Sequence, residues 1–330
     1  LALNFICSDK SMRGVILDCD SLGPDDLDFS ALYDLPVSWT VYGNCPASEV
    51  VERIGDAEIV MTNKTVVDAA TLSQAPNLKL ITLPATGTNV VDLVAASEQG
   101  VVVCNAVNYG TASVVQHVWA LILALTTNLQ SYSRGVMDGS WGESEMFCLL
   151  QYPVRELEGK TLGIVGAGDL GRGVAKIAQA FGMQVIFAAL PERNHLDDLP
   201  RLALHELLPR VDILSLHCPL TPQTKGLISS AELALMKTSA LLINTARGPL
   251  IDEPALKQAL VKSEIAGAGL DVLSAEPPVG GNLLIDNAVP NLIITPHSAW
   301  IAAESRQRLM GQMVENISAF LEGKALRRVN

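Results

Sequence analysis

Cysteine is present but unorganised. The six, at positions 7, 19, 45, 104, 148 and 218, contain no C-x-x-C pair. Such spacing offers neither a disulfide framework nor a zinc site and suits a reducing compartment, so a cytoplasmic location and no bound metal are expected. Positive charge is in short supply. Lys and Arg total 23 against 35 Asp and Glu, for a formal net charge of −12. That balance argues against a nucleic acid or an anionic membrane as partner. It also means that an anionic ligand needs one specific local cation. Long apolar runs are missing too. The richest, residues 114–125, is interrupted by Gln116 and His117, and none is long enough to span a bilayer. No secretory signal is legible. Met12 is the expected start, with residues 1–11 an upstream extension.

What is there is a packed, globular composition. Hydrophobic residues make up 49% of the 330, enough chain for two domains. Apolar runs at 15–17, 59–61, 80–83 and 101–104 alternate with helical patterns at 47–54, 65–71 and 90–99. Such alternation predicts a parallel sheet with helices on both faces. Pro84-Ala85-Thr86-Gly87-Thr88-Asn89 follows a strand directly. The N–H groups of Thr86 and Gly87 could hold an anion there, or the stretch could be a helix-capping turn with Thr88 or Asn89 as cap. Thr111–Thr127 reads as a strongly apolar helix bridging two domains, with His117 a core or interface histidine. Residues 128–156 read as long and irregular, a functional or interface arm.

The centre of the chain is Thr161-Leu162-Gly163-Ile164-Val165 followed by Gly166-Ala167-Gly168-Asp169-Leu170-Gly171. A short apolar strand feeds G-x-G-x-x-G, and apolar residues then recur at helical spacing (Leu170, Val174, Ile177, Ala178, Phe181). The first glycine permits the tight turn, the second lets backbone approach a pyrophosphate, and the third lets helix and strand pack closely. Free N–H groups and the positive dipole end at the helix start complete an anion cradle. A second strand, Gln184–Ala188, ends at Ala189, where dinucleotide folds usually carry an acid for the ribose 2′-hydroxyl. Glu192 and Arg193 follow, so the choice between NAD and NADP stays open. Three later strands each deliver a reactive side chain just past their carboxyl end: Arg247 after Leu241–Asn244, Glu276 after residues 265–270, and His297 after residues 292–295. The last segment, 302–321, reads as a helix that returns to the first block.

These motifs resemble the D-isomer-specific 2-hydroxyacid dehydrogenases. The resemblance runs from about Met12 to the end. It rests on the glycine motif, Asn244-Thr245-Ala246-Arg247-Gly248, Gly269-Leu270-Asp271-Val272 with Glu276-Pro277, and Thr295-Pro296-His297. Within the family the chain is most similar to the glycerate dehydrogenases (hydroxypyruvate reductases). Ala85 to Asn89, Asn108-Tyr109-Gly110-Thr111 with Gln116-His117, the Trp141–Tyr152 stretch and His297-Ser298-Ala299-Trp300 carry that likeness. Ala189, in place of the usual acid, is a departure.

The resemblance implies an α/β fold of two parallel-sheet domains. These are a central Rossmann-type dinucleotide-binding domain over 108–298 and a discontinuous, flavodoxin-like substrate domain over 12–107 plus 299–330. It implies a homodimer through the cofactor domain and an active site in the cleft between the domains. Arg247, Glu276 and His297 would be catalytic, with Thr86, Gly87 and Arg247 on the substrate. Around NAD or NADP it places Thr111, Gly166, Gly168, Asp169, Leu170, Gly171, Ala189, Arg193, Cys218, Pro219, Thr245, Ala246, Asp271 (toward the nicotinamide carboxamide) and His297.

The expected reaction is reduction of a small anionic 2-oxo acid to its D-2-hydroxy acid, best hydroxypyruvate to D-glycerate, with glyoxylate also reduced to glycolate. An imidazolium at His297 can donate the proton, Glu276 can orient the ring and support its charge, and the planar fork of Arg247 can take the carboxylate. Three alternatives stand beside this. One is another 2-hydroxyacid specificity. Formate oxidation is a second, but it needs no acid–base pair. The third is an NAD-binding corepressor-like sensor, for which partner-binding tails would be expected and are not seen.

Overall fold

The computed structural model describes residues 3–4, 12–190 and 199–330. They form two compact units, Leu1–Gly110 with Ile301–Asn330, and Thr111–Trp300.

In the first unit the sheet order is Leu3–Asn4, Val37–Val41, Met12–Ile16, Ile59–Met61, Leu80–Thr82, Val102–Cys104. All neighbours are parallel except Leu3–Asn4, which runs antiparallel to Val37–Val41. Leaving that short edge aside, the order is 2-1-3-4-5, the flavodoxin-like arrangement. Val37–Val41 was not among the expected strands. Val37 and Trp39 are buried while Ser38 and Thr40 are not fully covered, the alternation of a strand with one face inward. At the point where strand order reverses, the Asp18 carboxylate is buried and fully engaged. It accepts from the amides of Asn63 (2.9 Å), Lys64 (2.6 Å) and Thr65 (2.7 Å) and from the hydroxyls of Thr62 and Thr65. The helix Ala303–Leu321 packs in this unit by burying Leu309, Met310, Met313 and Ile317. Each contributes roughly 1.5–3 kcal/mol of transfer free energy.

Three expected helices are shorter than their patterns. Residues 47–54 begin as a 3-10 turn, Ala47–Glu49, before helix Val50–Ile54. The helices inside 65–71 and 90–99 are Ala69–Ser73 and Leu93–Glu98. Each opens on an aspartate cap, Asp68 accepting from the Thr71 amide (2.8 Å) and Asp92 from that of Ala95 (3.0 Å). The preceding residues are drawn into a parallel bridge between Val67 and Val91 instead. Asp92 is therefore the cap, and the capping-turn alternative for Thr88 and Asn89 is overturned. The Thr86 and Gly87 amides have no acceptor among the described residues.

In the second unit seven parallel strands are ordered Leu292–Ile294, Gly267–Leu270, Leu241–Asn244, Ile213–Leu216, Thr161–Val165, Gln184–Ala188, Arg201–Leu202. This is the Rossmann order 3-2-1-4-5-6 with a seventh strand added. Thr111–Thr127 buries Val118, Trp119, Leu121 and Ile122 with Leu162, Ile164 and Ile243 in this unit's core. The segment 128–156 is not wholly irregular, since Leu129–Met137 is a helix with an apolar stripe that remains exposed at Leu129, Val136 and Met137. Among the described residues no single helix is long and apolar enough to cross a membrane.

Candidate active site

The switch point of the Rossmann sheet lies between Thr161–Val165 and Ile213–Leu216, and the glycine turn fills it. Gly166 has φ +107°, and a Cβ there would meet the His217 carbonyl carbon and oxygen at 2.6 Å. A Cβ at Gly171 would stand 2.0 Å from the Gly166 carbonyl oxygen, so helix Asp169–Ala180 lies directly on the turn. In front of Gly168 a Cβ would meet nothing within 4 Å. Asp169 and Leu170 open the helix behind it. The neighbouring strand ends carry two buried polar atoms without a partner among the described residues, His217 Nδ1 and Thr245 Oγ1. His217 uses its other nitrogen on Ser215 Oγ (2.8 Å), and burial pulls its pKa down to about 4, so it is neutral at neutral pH. Cys218 is buried with its pKa pushed up to about 11, a protonated thiol. A closed glycine turn, an open approach to Gly168 and unpaired buried polar atoms fit a dinucleotide with a pyrophosphate and hydroxyl-bearing riboses. Ala189 caps the adjacent strand, its amide donating to the Leu202 carbonyl (2.7 Å). Glu192 and Arg193 lie outside the described residues.

On the same edge of the sheet, three strand ends build an acid–base constellation. After Leu241–Asn244, the buried Asn244 side chain folds the next turn. Its Oδ1 accepts from the Ala246 amide (3.0 Å) and its Nδ2 donates to the Arg247 carbonyl (2.9 Å). That turn projects Arg247 outward. Its guanidinium donates to the Ala246 carbonyl (2.7 Å) and has no carboxylate partner among the described residues. A structural ion pair therefore does not account for it.

After Gly267–Leu270 comes Asp271, 1% exposed. Its Oδ1 accepts from Thr295 Oγ1 (2.5 Å) and the Ser298 amide (2.9 Å), and its Oδ2 from the Ala299 amide (2.9 Å). The Asp271 carbonyl takes the His297 amide (2.9 Å). These bonds hold His297 at φ +54°, a left-handed conformation that non-glycine residues rarely adopt and that marks functional turns. The consequence is seen at the ring. His297 Nδ1 lies 2.6 Å from Glu276 Oε2, while Glu276 Oε1 accepts from the Leu273 amide (2.7 Å). With Nδ1 committed to a carboxylate, Nε2 is the nitrogen available for proton transfer. Thr111 opens the long helix of this unit, and Pro219 follows Cys218 on the loop after Ile213–Leu216.

Sequence reasoning missed His117 as a member of this cluster. Its Nε2 is 2.9 Å from Thr295 Oγ1 and 3.5 Å from Asp271 Oδ1. Its place on a strongly apolar helix points only to a core or interface histidine. Its partner is 178 residues away, beyond any local pattern.

A Rossmann cradle beside a carboxylate–imidazole pair defines a nicotinamide-dependent oxidoreductase. The family model described as D-isomer specific 2-hydroxyacid dehydrogenase, NAD binding domain, matches residues 119–299. The chain belongs to this family, and it uses NAD or NADP. It is 45% identical over 314 residues to a glycerate dehydrogenase of Methylorubrum extorquens, covering 94% of this chain and 96% of the relative. It is 41% identical over 324 residues to a hydroxypyruvate reductase of Blautia hydrogenotrophica, covering 97% and 100%. Among solved structures, a Thermus thermophilus protein superposes with a TM-score of 0.85 at 35% identity, over 97% of this chain and 100% of the other.

Proposed function

We propose that the enzyme reduces hydroxypyruvate to D-glycerate, and glyoxylate to glycolate, in the cytoplasm. The observation that carries the chemistry is the 2.6 Å contact of Glu276 with His297, with Arg247 at a neighbouring strand end and without a carboxylate partner among the described residues. The names of the two relatives support the choice of substrate, and the five free thiols among the described residues support the compartment.

In this reading the Arg247 fork takes the substrate carboxylate through paired N–H donors. The Thr86 and Gly87 amides, which have no acceptor among the described residues, belong to the same proposal as substrate-binding donors. The bound dinucleotide supplies hydride to the carbonyl carbon. His297 donates a proton from Nε2 to the carbonyl oxygen as negative charge builds there. Glu276 accepts from Nδ1–H, which fixes the ring and leaves Nε2 as the donor atom, the orienting role of a carboxylate in a His–Asp pair. The glycine turn with Asp169 and Leu170, and Thr111, Ala189, Cys218, Pro219, Thr245 and Ala246 around it, would hold the dinucleotide. Arg193 belongs to the same proposal. Asp271 Oδ2, which accepts only the Ala299 amide, would take the carboxamide N–H.

Initial rates with NADH and NADPH, each with hydroxypyruvate, glyoxylate and pyruvate, test this. The highest kcat/KM is expected with hydroxypyruvate. Binding of NADH without turnover of any of the three would overturn the reading.

A homodimer through the central unit belongs to the same proposal. Met137, Phe147 and Leu150 are 85%, 87% and 77% exposed on its 129–154 segment, large apolar side chains that a second copy would cover. Phe147→Asp is expected to shift sedimentation from dimer toward monomer. A wild-type chain that sediments as a monomer at micromolar concentration would contradict it.

A further inference from the structure

We propose that Glu253 is a positioning residue for Glu276, and through it for the protonation of His297. The inference rests on the acid–base role just assigned to that pair.

Glu253 is the first residue of helix Glu253–Val261, six positions after Arg247, and only 7% exposed. It has no cationic partner among the described residues. A buried carboxylate without a cation persists only if neutral donors satisfy it. The obvious structural task, capping its own helix, is already done, because the Asp252 side chain accepts from the Ala255 amide (3.0 Å). Both Glu253 oxygens reach across to another segment instead. Oε1 accepts from the Ser274 amide (2.6 Å) and Oε2 from the Asn282 side-chain amide (2.9 Å).

Those two donors bracket Glu276. The stretch between them carries the cis bond Glu276–Pro277 and contains no helix or strand. It has few internal bonds of its own, so its placement depends on its ends. The near end is clamped a second way. A Cβ at Gly248 would stand 2.0 Å from the Leu273 carbonyl and 2.5 Å from the Ser274 nitrogen. The Arg247–Gly248 backbone and the 273–274 backbone are therefore in direct contact. The Leu273 amide in turn donates to Glu276 Oε1 (2.7 Å). One buried carboxylate thus ties the arginine segment to the glutamate segment, and the position of Glu276 Oε2 against His297 follows from it. Hydrogen bonds to an ionised acceptor are about twice as strong as neutral ones, which suits this clamp.

Glu253→Gln replaces one acceptor by a donor, and one of the two ties is lost. For reduction of hydroxypyruvate by the full chain, kcat is expected to fall about tenfold, the size of effect that sub-ångström misplacement produces. KM should stay within about twofold, because Arg247 is untouched. The high-pH limb, where the donor loses its proton, should move to lower pH, as it should in Glu276→Gln. A general loss of packing would not move that limb. In the double variant the shift and the loss of kcat should be no larger than in Glu276→Gln alone, because both act at one place. If Glu253→Gln does not fold, Asn282→Ala cuts the other tie and should move the limb in the same direction.

A wild-type limb in Glu253→Gln or, failing that, Asn282→Ala overturns the inference while leaving Glu276 in its role, and so do losses that multiply fully in the double variant. A wild-type limb in Glu276→Gln alone instead removes the acid–base reading itself, and this inference falls with it.

Discussion

His297→Asn should lower kcat for 2-oxo acid reduction by about two to four orders of magnitude, the span measured for loss of a positioned proton donor. Asparagine is chosen because it tolerates the left-handed conformation that His297 occupies at φ +54°. The bonds from the His297 amide to the Asp271 and Thr295 carbonyls survive the change, so the turn is kept and only the ring is removed. An amide cannot protonate an alkoxide at neutral pH. Binding of NADH, followed by its fluorescence, should weaken far less than kcat falls, because the glycine turn that cradles the phosphates lies at another strand end. A kcat within tenfold of wild type would show that solvent or another group supplies the proton.

Arg247→Lys is the second large effect. The fork of donors is replaced by one mobile ammonium, so paired contact with a carboxylate is lost. The apparent KM for hydroxypyruvate should rise about a hundredfold, two charge-assisted bonds becoming one, and kcat should fall because the carbonyl is less firmly aimed. The Asn244 brace on the backbone at 246–247 is independent of the side chain and keeps the turn. The net charge stays at −12, so the long-range field met by the anion is unchanged. Steady-state kinetics with the oxo acid varied at saturating NADH decide it, and an unchanged KM would sink the assignment as carboxylate clamp.

Both predictions name residues that could be read before any coordinates. In a parallel sheet every strand ends on the same edge. Reactive side chains just past three apolar runs must then share a neighbourhood, and the order of 241–244, 267–270 and 292–294 makes them adjacent. The glycine turn was legible for a related reason, since its three glycines stand within six residues of one another even though His217 closes the space at Gly166. Less local features were not. His117 meets Thr295 only after the sheet has formed, and Glu253 looked like an ordinary acidic residue at a helix start until its burial was seen. The shorter helices at 69–73 and 93–98 have the same origin. Their apolar patterns continue upstream, but the bridge of Val67 with Val91 takes that backbone first. Val37–Val41 alternates polar and apolar residues rather than forming a continuous apolar run like the other strands, so a search for apolar runs passes over it.

Asp18 bears on how many nucleotides one chain can carry. The chain contains two open sheets with reversing strand order, and either crevice is where such sheets receive phosphates. In the first unit the amides of residues 63–65 already donate to the carboxyl group of Asp18. The polypeptide has placed its own acceptor where a phosphate would otherwise dock. That leaves the glycine-lined crevice to be filled from solution, and one dinucleotide per chain is the expected stoichiometry.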